Sequence, residues 1–201
     1  MKRVSLWAGA VLVPIGWGAA AGGLGMIGHM VGHMIAVAIA APLLAIGISG
    51  TRFDPVQRWP RAITPIGMML VELCVVWAWH LPGLRAAADG SSAVLAIEQV
   101  CFLAAGLLLW SAVLGGGSAD RRASGIAALL LTSMHMTLLG ALIGLAPRPL
   151  YSAGAMHHGL GPLADQQLGG VVMLIVGAAS YFIGGLAMLA GLLRTPREAR
   201  T

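Results

Sequence analysis

The sequence predicts an all-α protein, a polytopic membrane bundle of six transmembrane helices with both termini on the cytoplasmic side. Three observations carry this. Hydrophobic residues make up 58% of the chain and charged residues only 9%, against about a quarter charged in soluble domains. Apolar runs long enough, or nearly so, to cross a bilayer core recur at 4–21, 27–48, 62–80, 92–114, 123–146 and 168–193. The basic residues also sort to one side. With six spans, Lys2, Arg3, Arg52, Arg58, Arg61, Arg121, Arg122, Arg194, Arg197 and Arg200 all fall on the same face, and only Arg85 and Arg148 on the other. That bias places the termini inside and His29, His33, His80, His157 and His158 at the outer boundary.

Each element has its own signal. The run at 4–21 follows Lys2-Arg3 and leads into Ala19-Ala20-Ala21-Gly22, which would also suit a cleaved signal peptide. The stretch is longer than a usual signal core, so it reads as a retained first span. The run at 27–48 opens with the first histidines. The run at 62–80 closes on Trp77-Ala78-Trp79-His80-Leu81-Pro82, where Pro82 forbids helical continuation and the tryptophans suit an interface. Gly115-Gly116-Gly117 ends the fourth run and no GK[ST] follows, so it is a turn and not a phosphate loop. The fifth run carries Gly140-Ala141-Leu142-Ile143-Gly144. Like Gly18-Ala19-Ala20-Ala21-Gly22 in the first, it is a small-xxx-small pattern that lets helices approach closely. Asp165 precedes the sixth run as a candidate N-cap, with a ligand or supporting role as the alternative. The length suits a single membrane domain over 1–201. The pI of about 10.2 reflects topology, and no basic run alternates with aromatics as nucleic-acid binding requires.

Chemistry concentrates in a few places. His29 and His33 are four apart, one turn along one helix face, close enough to share a metal. Met26, Met30 and Met34 accompany them. Thioethers are soft ligands that favour Cu(I), and imidazole accepts copper or zinc. His80 lies at the same predicted depth, so a shared site with His29 and His33 is expected. Glu98 lies about 9 Å below the outer end of its helix, placed to ligate, to orient a histidine or to accept a proton. Glu72 is deeper, with structural and protonic roles equally open. His135 sits at mid-span between Met134 and Met136, and neighbours one residue apart do not share a helix face. His157 and His158, in a glycine-rich outer loop, are placed to catch an ion or simply to be solvated. Cys74 and Cys101 read as small buried hydrophobes at similar depth, with a thiol contribution to a metal path as the weaker alternative.

Several of these segments, in this order, resemble the membrane-integral CtaG-type assembly factors of caa-type cytochrome c oxidase. They are His29-Met30-x-x-His33-Met34 leading into Ala41-Pro42-Leu43-Leu44, then Trp77-x-Trp79-His80-Leu81-Pro82, Glu98, Pro149-Leu150-Tyr151, and Asp165-Gln166-Gln167-Leu168-Gly169-Gly170 with Met173. The chain departs from the family at Gln99, where His is frequent, and at Leu174, where Trp is common. It also has six spans where longer relatives have seven. The resemblance implies copper handling at the outer face during maturation of a haem-copper oxidase, in a bacterial cytoplasmic membrane. The implied partners are an oxidase subunit, a periplasmic copper donor and membrane lipid, with no nucleic acid and with a homo-oligomer left open.

The leading expectation is therefore a copper-binding assembly factor, Cu(I) favoured, without turnover chemistry. Its candidate metal residues are His29, His33, His80, Glu98, Asp165, Met30, Met34, His135, His157 and His158. One competing reading is an intramembrane zinc hydrolase on His29, His33 and His80, with Asp165 or Glu98 acting on metal-bound water. The other is a bis-histidine haem b protein.

Overall fold

The computed structural model describes residues 1–115, 118–151 and 159–198, with side chains up to residue 193. Among these residues the regular structure is helical, without strands. Helix α1 is Lys2–Ala21 and α2 is Gly25–Ile48. A short α3 covers Pro55–Arg58, α4 is Pro65–Trp79 and α5 is Pro82–Gly90. Then come α6 (Ser92–Leu114), α7 (Ala119–Gly144) and α8 (Pro162–Leu193, helical on to Glu198).

Five of these helices are long and apolar enough to cross a membrane. The sixth expected span, 62–80, is realised differently. Helix α4 has only 15 residues, and the chain then bends by 69° into α5. The cause is Pro82, which supplies no amide hydrogen and opens the next helix at its first position. What reads in sequence as an outer loop is thus a second helical segment, folded back on the bundle. The bundle has six spans when this bent pair counts as one.

Helices α2, α6, α4, α7 and α8 close into a ring, each packed on the next, and α1 lies outside against α2. Outward positions such as Trp7, Val11, Ile97, Leu142 and Ile183 are apolar and exposed, as a hydrocarbon solvent demands. The interior is fine-grained. A Cβ on Gly170 would come within 2.5 Å of the Gly144 nitrogen and 2.7 Å of the Gly140 carbonyl, so the Gly140-to-Gly144 pattern does bring α7 and α8 backbone to backbone. The Gly18-to-Gly22 pattern does not serve this way, because a Cβ on Gly18 would meet nothing within 4 Å. Helix α1 instead touches α2 through Gly16, opposite Gly32.

Two helices carry π-turns, Ile35–Ala40 in α2 and Met173–Gly177 in α8. Just past its turn, α8 crosses back to α2 where the Ser180 hydroxyl donates to the Ala38 carbonyl at 2.8 Å. Such turns widen a helix locally and recur at functional sites. One end of the bundle joins Lys2 to the Ser49 carbonyl and Arg121 to the Ile63 carbonyl. The opposite end holds His29, His80 and the α4–α5 bend.

Candidate metal centre

His29 and His33 lie one turn apart in α2, and His80 caps the end of α4. All three are buried. Their ring centroids are 5.0 Å apart for His29–His80, 5.2 Å for His33–His80 and 6.2 Å for His29–His33. Phe102, fully buried on α6, stacks on His33 at 4.1 Å and borders the other two rings. Residues 51 positions apart meet because α4 stops at Pro82, which leaves His80 at a helix terminus facing α2.

The hydrogen-bond order assigns the tautomers. His80 Nδ1 is 2.6 Å from the Val76 carbonyl, so that nitrogen donates and Nε2 keeps its lone pair. His29 Nε2 lies 3.2 Å from His80 Nε2 and donates to it. The other nitrogen of His29 then accepts from Arg85 Nη1. His33 has no hydrogen-bond partner at either ring nitrogen. The 3.2 Å between the two Nε2 atoms matches one edge of a tetrahedron with metal–nitrogen bonds of about 2.0 Å, roughly 3.3 Å. An ion seated there displaces the His29 Nε2 proton and finds His33 unengaged beside it. The residues fit a nitrogen-ligated cation. They are not a finished coordination shell, since among the described residues no three His, Cys, Asp or Glu donors already converge on one point.

Arg85 is the residue the sequence reading misplaced. Read there as an outer-loop charge, it is buried in α5. Its Nη1 donates to Glu98 at 2.6 and 2.7 Å and its Nη2 to Asp89 at 2.8 Å. The available signal was Arg85 and Asp89 at i,i+4, with a buried carboxylate in need of a cation thirteen residues on. Glu98 Oε2 is also 3.4 Å from His29 Nδ1, so it stands behind the histidine. Gln99, buried next to it, donates to the same carboxylate at 3.4 Å. One guanidinium shared by two carboxylates leaves the Arg85–Glu98–Asp89 group one negative charge in excess, a setting that attracts a cation.

Asp165 lies elsewhere. It sits inside the first turn of α8, whose N-cap is Gly161, so it does not cap its own helix. Its carboxylate accepts from the backbone of Met26 at 2.7 Å and Ile27 at 3.1 Å, capping α2 from across the bundle. Gly25 has φ +60, and a Cβ there would lie 2.5 Å from Asp165 Oδ2, so only glycine admits the carboxylate. Asp165 therefore positions the turn that carries His29 and His33. Gln166 fastens the neighbouring loop, accepting from Leu150 at 2.6 Å and donating to the Ile143 carbonyl at 3.2 Å. In that loop Tyr151 donates to the His80 carbonyl at 2.9 Å. Burial pushes its phenol up to about 12, so it remains a donor at any physiological pH.

The other candidates separate from the cluster. Met30 and Met34 are buried on the adjoining face of α2, where Met30 packs at Gly169 and Met34 at Gly177. His135 is buried in α7, within electrostatic reach of His33, and has no partner at either ring nitrogen. Met136 is buried and Met134 exposed, as the helical repeat requires of residues two apart. Cys74 is exposed on the outside of α4 and Cys101 is partly buried, so neither joins the cluster. His157 and His158 lie outside the described residues.

Residues 1–195 match the sequence model of the cytochrome c oxidase caa3 assembly factor family (Caa3_CtaG). The chain belongs to that family. It is thus an assembly factor of cytochrome c oxidase, a multi-pass helical membrane protein associated with the oxidase. Neither the curated proteins nor the solved structures include a match. Within this family member, the histidine cluster and its Arg85–Glu98 support form the most elaborate buried polar assembly among the described residues.

Proposed function

We propose that this assembly factor binds Cu(I) at His29, His33 and His80 and delivers it to a haem-copper oxidase subunit during assembly. The observation that carries this is the His29–His80 separation of 3.2 Å beside an unengaged, buried His33. A bonded nitrogen pair that an ion can open, next to a third free imidazole, suits binding followed by release. The excess negative charge around Arg85 attracts a cation. Met30, Met34 and His135 are buried in the adjoining interior, where the two thioethers supply softer donors for transit. In this reading the termini are cytoplasmic, the membrane is a bacterial cytoplasmic membrane, and the histidine end faces the periplasm. There His157 and His158 receive the ion from a periplasmic donor.

The alternatives are less well supported. A hydrolase needs a free carboxylate as base, but Glu98 is bound by Arg85 and Asp165 by two backbone amides. A bis-histidine haem needs a macrocycle between the rings, and Nε2 atoms 3.2 Å apart leave no plane for one. The test replaces His29 and His33 together with Ala. The variant should insert in the membrane normally while oxidase activity and oxidase copper fall, with partial rescue by added copper. Oxidase with a full copper complement in that background would refute the proposal.

A further inference from the structure

A second buried carboxyl lies away from the histidine end. Glu72 lies on α4, eight residues before His80 and so about 12 Å further in, and is fully buried. Its Oε1 is 2.5 Å from the Tyr181 hydroxyl of α8. That hydroxyl is also 3.3 Å from the Val37 carbonyl in the π-turn of α2, which takes a second bond from Trp110 Nε1 at 3.0 Å. The Trp110 and Tyr181 rings stack at 5.5 Å. Thr132 of α7 lies beside the carboxyl. Among the described residues Glu72 Oε2 has no hydrogen-bond partner and no Lys or Arg pairs with Glu72.

A phenol has one proton, and Tyr181 faces two acceptors. If it donated to an ionised Glu72, a bare carboxylate would remain in a hydrocarbon-embedded core with one oxygen unserved and no counter-charge, a costly arrangement. If Glu72 carries the proton, the carboxyl, the phenol and the indole each have an acceptor. The carboxyl donates to Tyr181, Tyr181 donates to Val37, and Trp110 fills the carbonyl's second lone pair. The groups around Glu72 are Tyr181 from α8, Thr132 from α7, and, next to Tyr181, Trp110 from α6 and the Val37 carbonyl from α2. None is a fixed charge.

We propose that Glu72 is a proton-binding site in the interior of the bundle, separate from the histidine cluster: its carboxyl holds a proton, which it donates to the Tyr181 hydroxyl. Nothing in this requires a bound metal, so it stands or falls apart from copper delivery.

Infrared spectroscopy of the full chain in lipid vesicles, without metal, tests it. The carbonyl stretch of a protonated carboxyl should be present at neutral pH, persist in Glu98→Gln and vanish in Glu72→Gln. In Tyr181→Phe it should persist at a shifted frequency. Transfer to D₂O should shift the band. Absence of the band in wild type, or its survival in Glu72→Gln, overturns the site.

Discussion

Glu98 and Glu72 are both carboxyls inside the bundle, fully buried, and the chain treats them in opposite ways. Glu98 faces Arg85 at 2.6 and 2.7 Å, with His29 and Gln99 at its flanks. Glu72 faces a phenol, a threonine and no cation. The difference teaches what each end of the interior is for. A charge kept as a charge needs an opposite charge folded in beside it, and here the chain bends at Pro82 to bring one. A carboxyl left without a counter-ion is held by neutral donors and acceptors, and is stable only with a proton of its own.

Three substitutions break or sharpen this comparison, each read from unfolding of the purified protein in mixed micelles. The largest effect is expected from Arg85→Met. It strands Glu98 as an unpaired buried carboxylate, which should cost about 3–5 kcal/mol, and Arg85→Met with Glu98→Met should recover much of it. Wild-type stability in the single variant would show that Glu98 does not depend on Arg85. Glu98→Gln is next. It removes one charge-assisted pair but leaves Arg85 bound to Asp89, for a loss of about 1.5–3 kcal/mol. The smallest is Glu72→Gln. An amide can still donate to Tyr181, so stability should stay within about 1 kcal/mol of wild type. A loss as large as that of Glu98→Gln would mean that Glu72 is ionised after all and the contrast is wrong.

Much of the architecture was legible because its signals are local. Hydropathy located the apolar runs. The spacing of His29 and His33 placed them on one face, and the Trp-x-Trp-His-Leu-Pro segment put a histidine at a helix end. Gly140 and Gly144 announced a close helix contact. Other local signals misled. Asp165 looks like the cap of the helix that follows it, yet it caps a helix 139 positions away. Gly18 and Gly22 form the same small-xxx-small pattern as Gly140 and Gly144 but face no partner helix. Nothing within a sequence window distinguishes these cases, because the partner lies in another segment.

The sequence by itself determined that this chain is a helical membrane bundle with His29, His33 and His80 near one end. Composition and periodicity reflect the hydrocarbon solvent, which acts on every residue independently of its distant neighbours. Only the tertiary structure decided that Arg85 is buried, that Phe102 stacks on His33, that Asp165 caps α2 and that Tyr181 meets Glu72. Each of these is a pairing between helices, set by how the ring closes and where Pro82 turns the chain. A buried polar group reveals its need in the sequence, but which residue meets that need is fixed by packing.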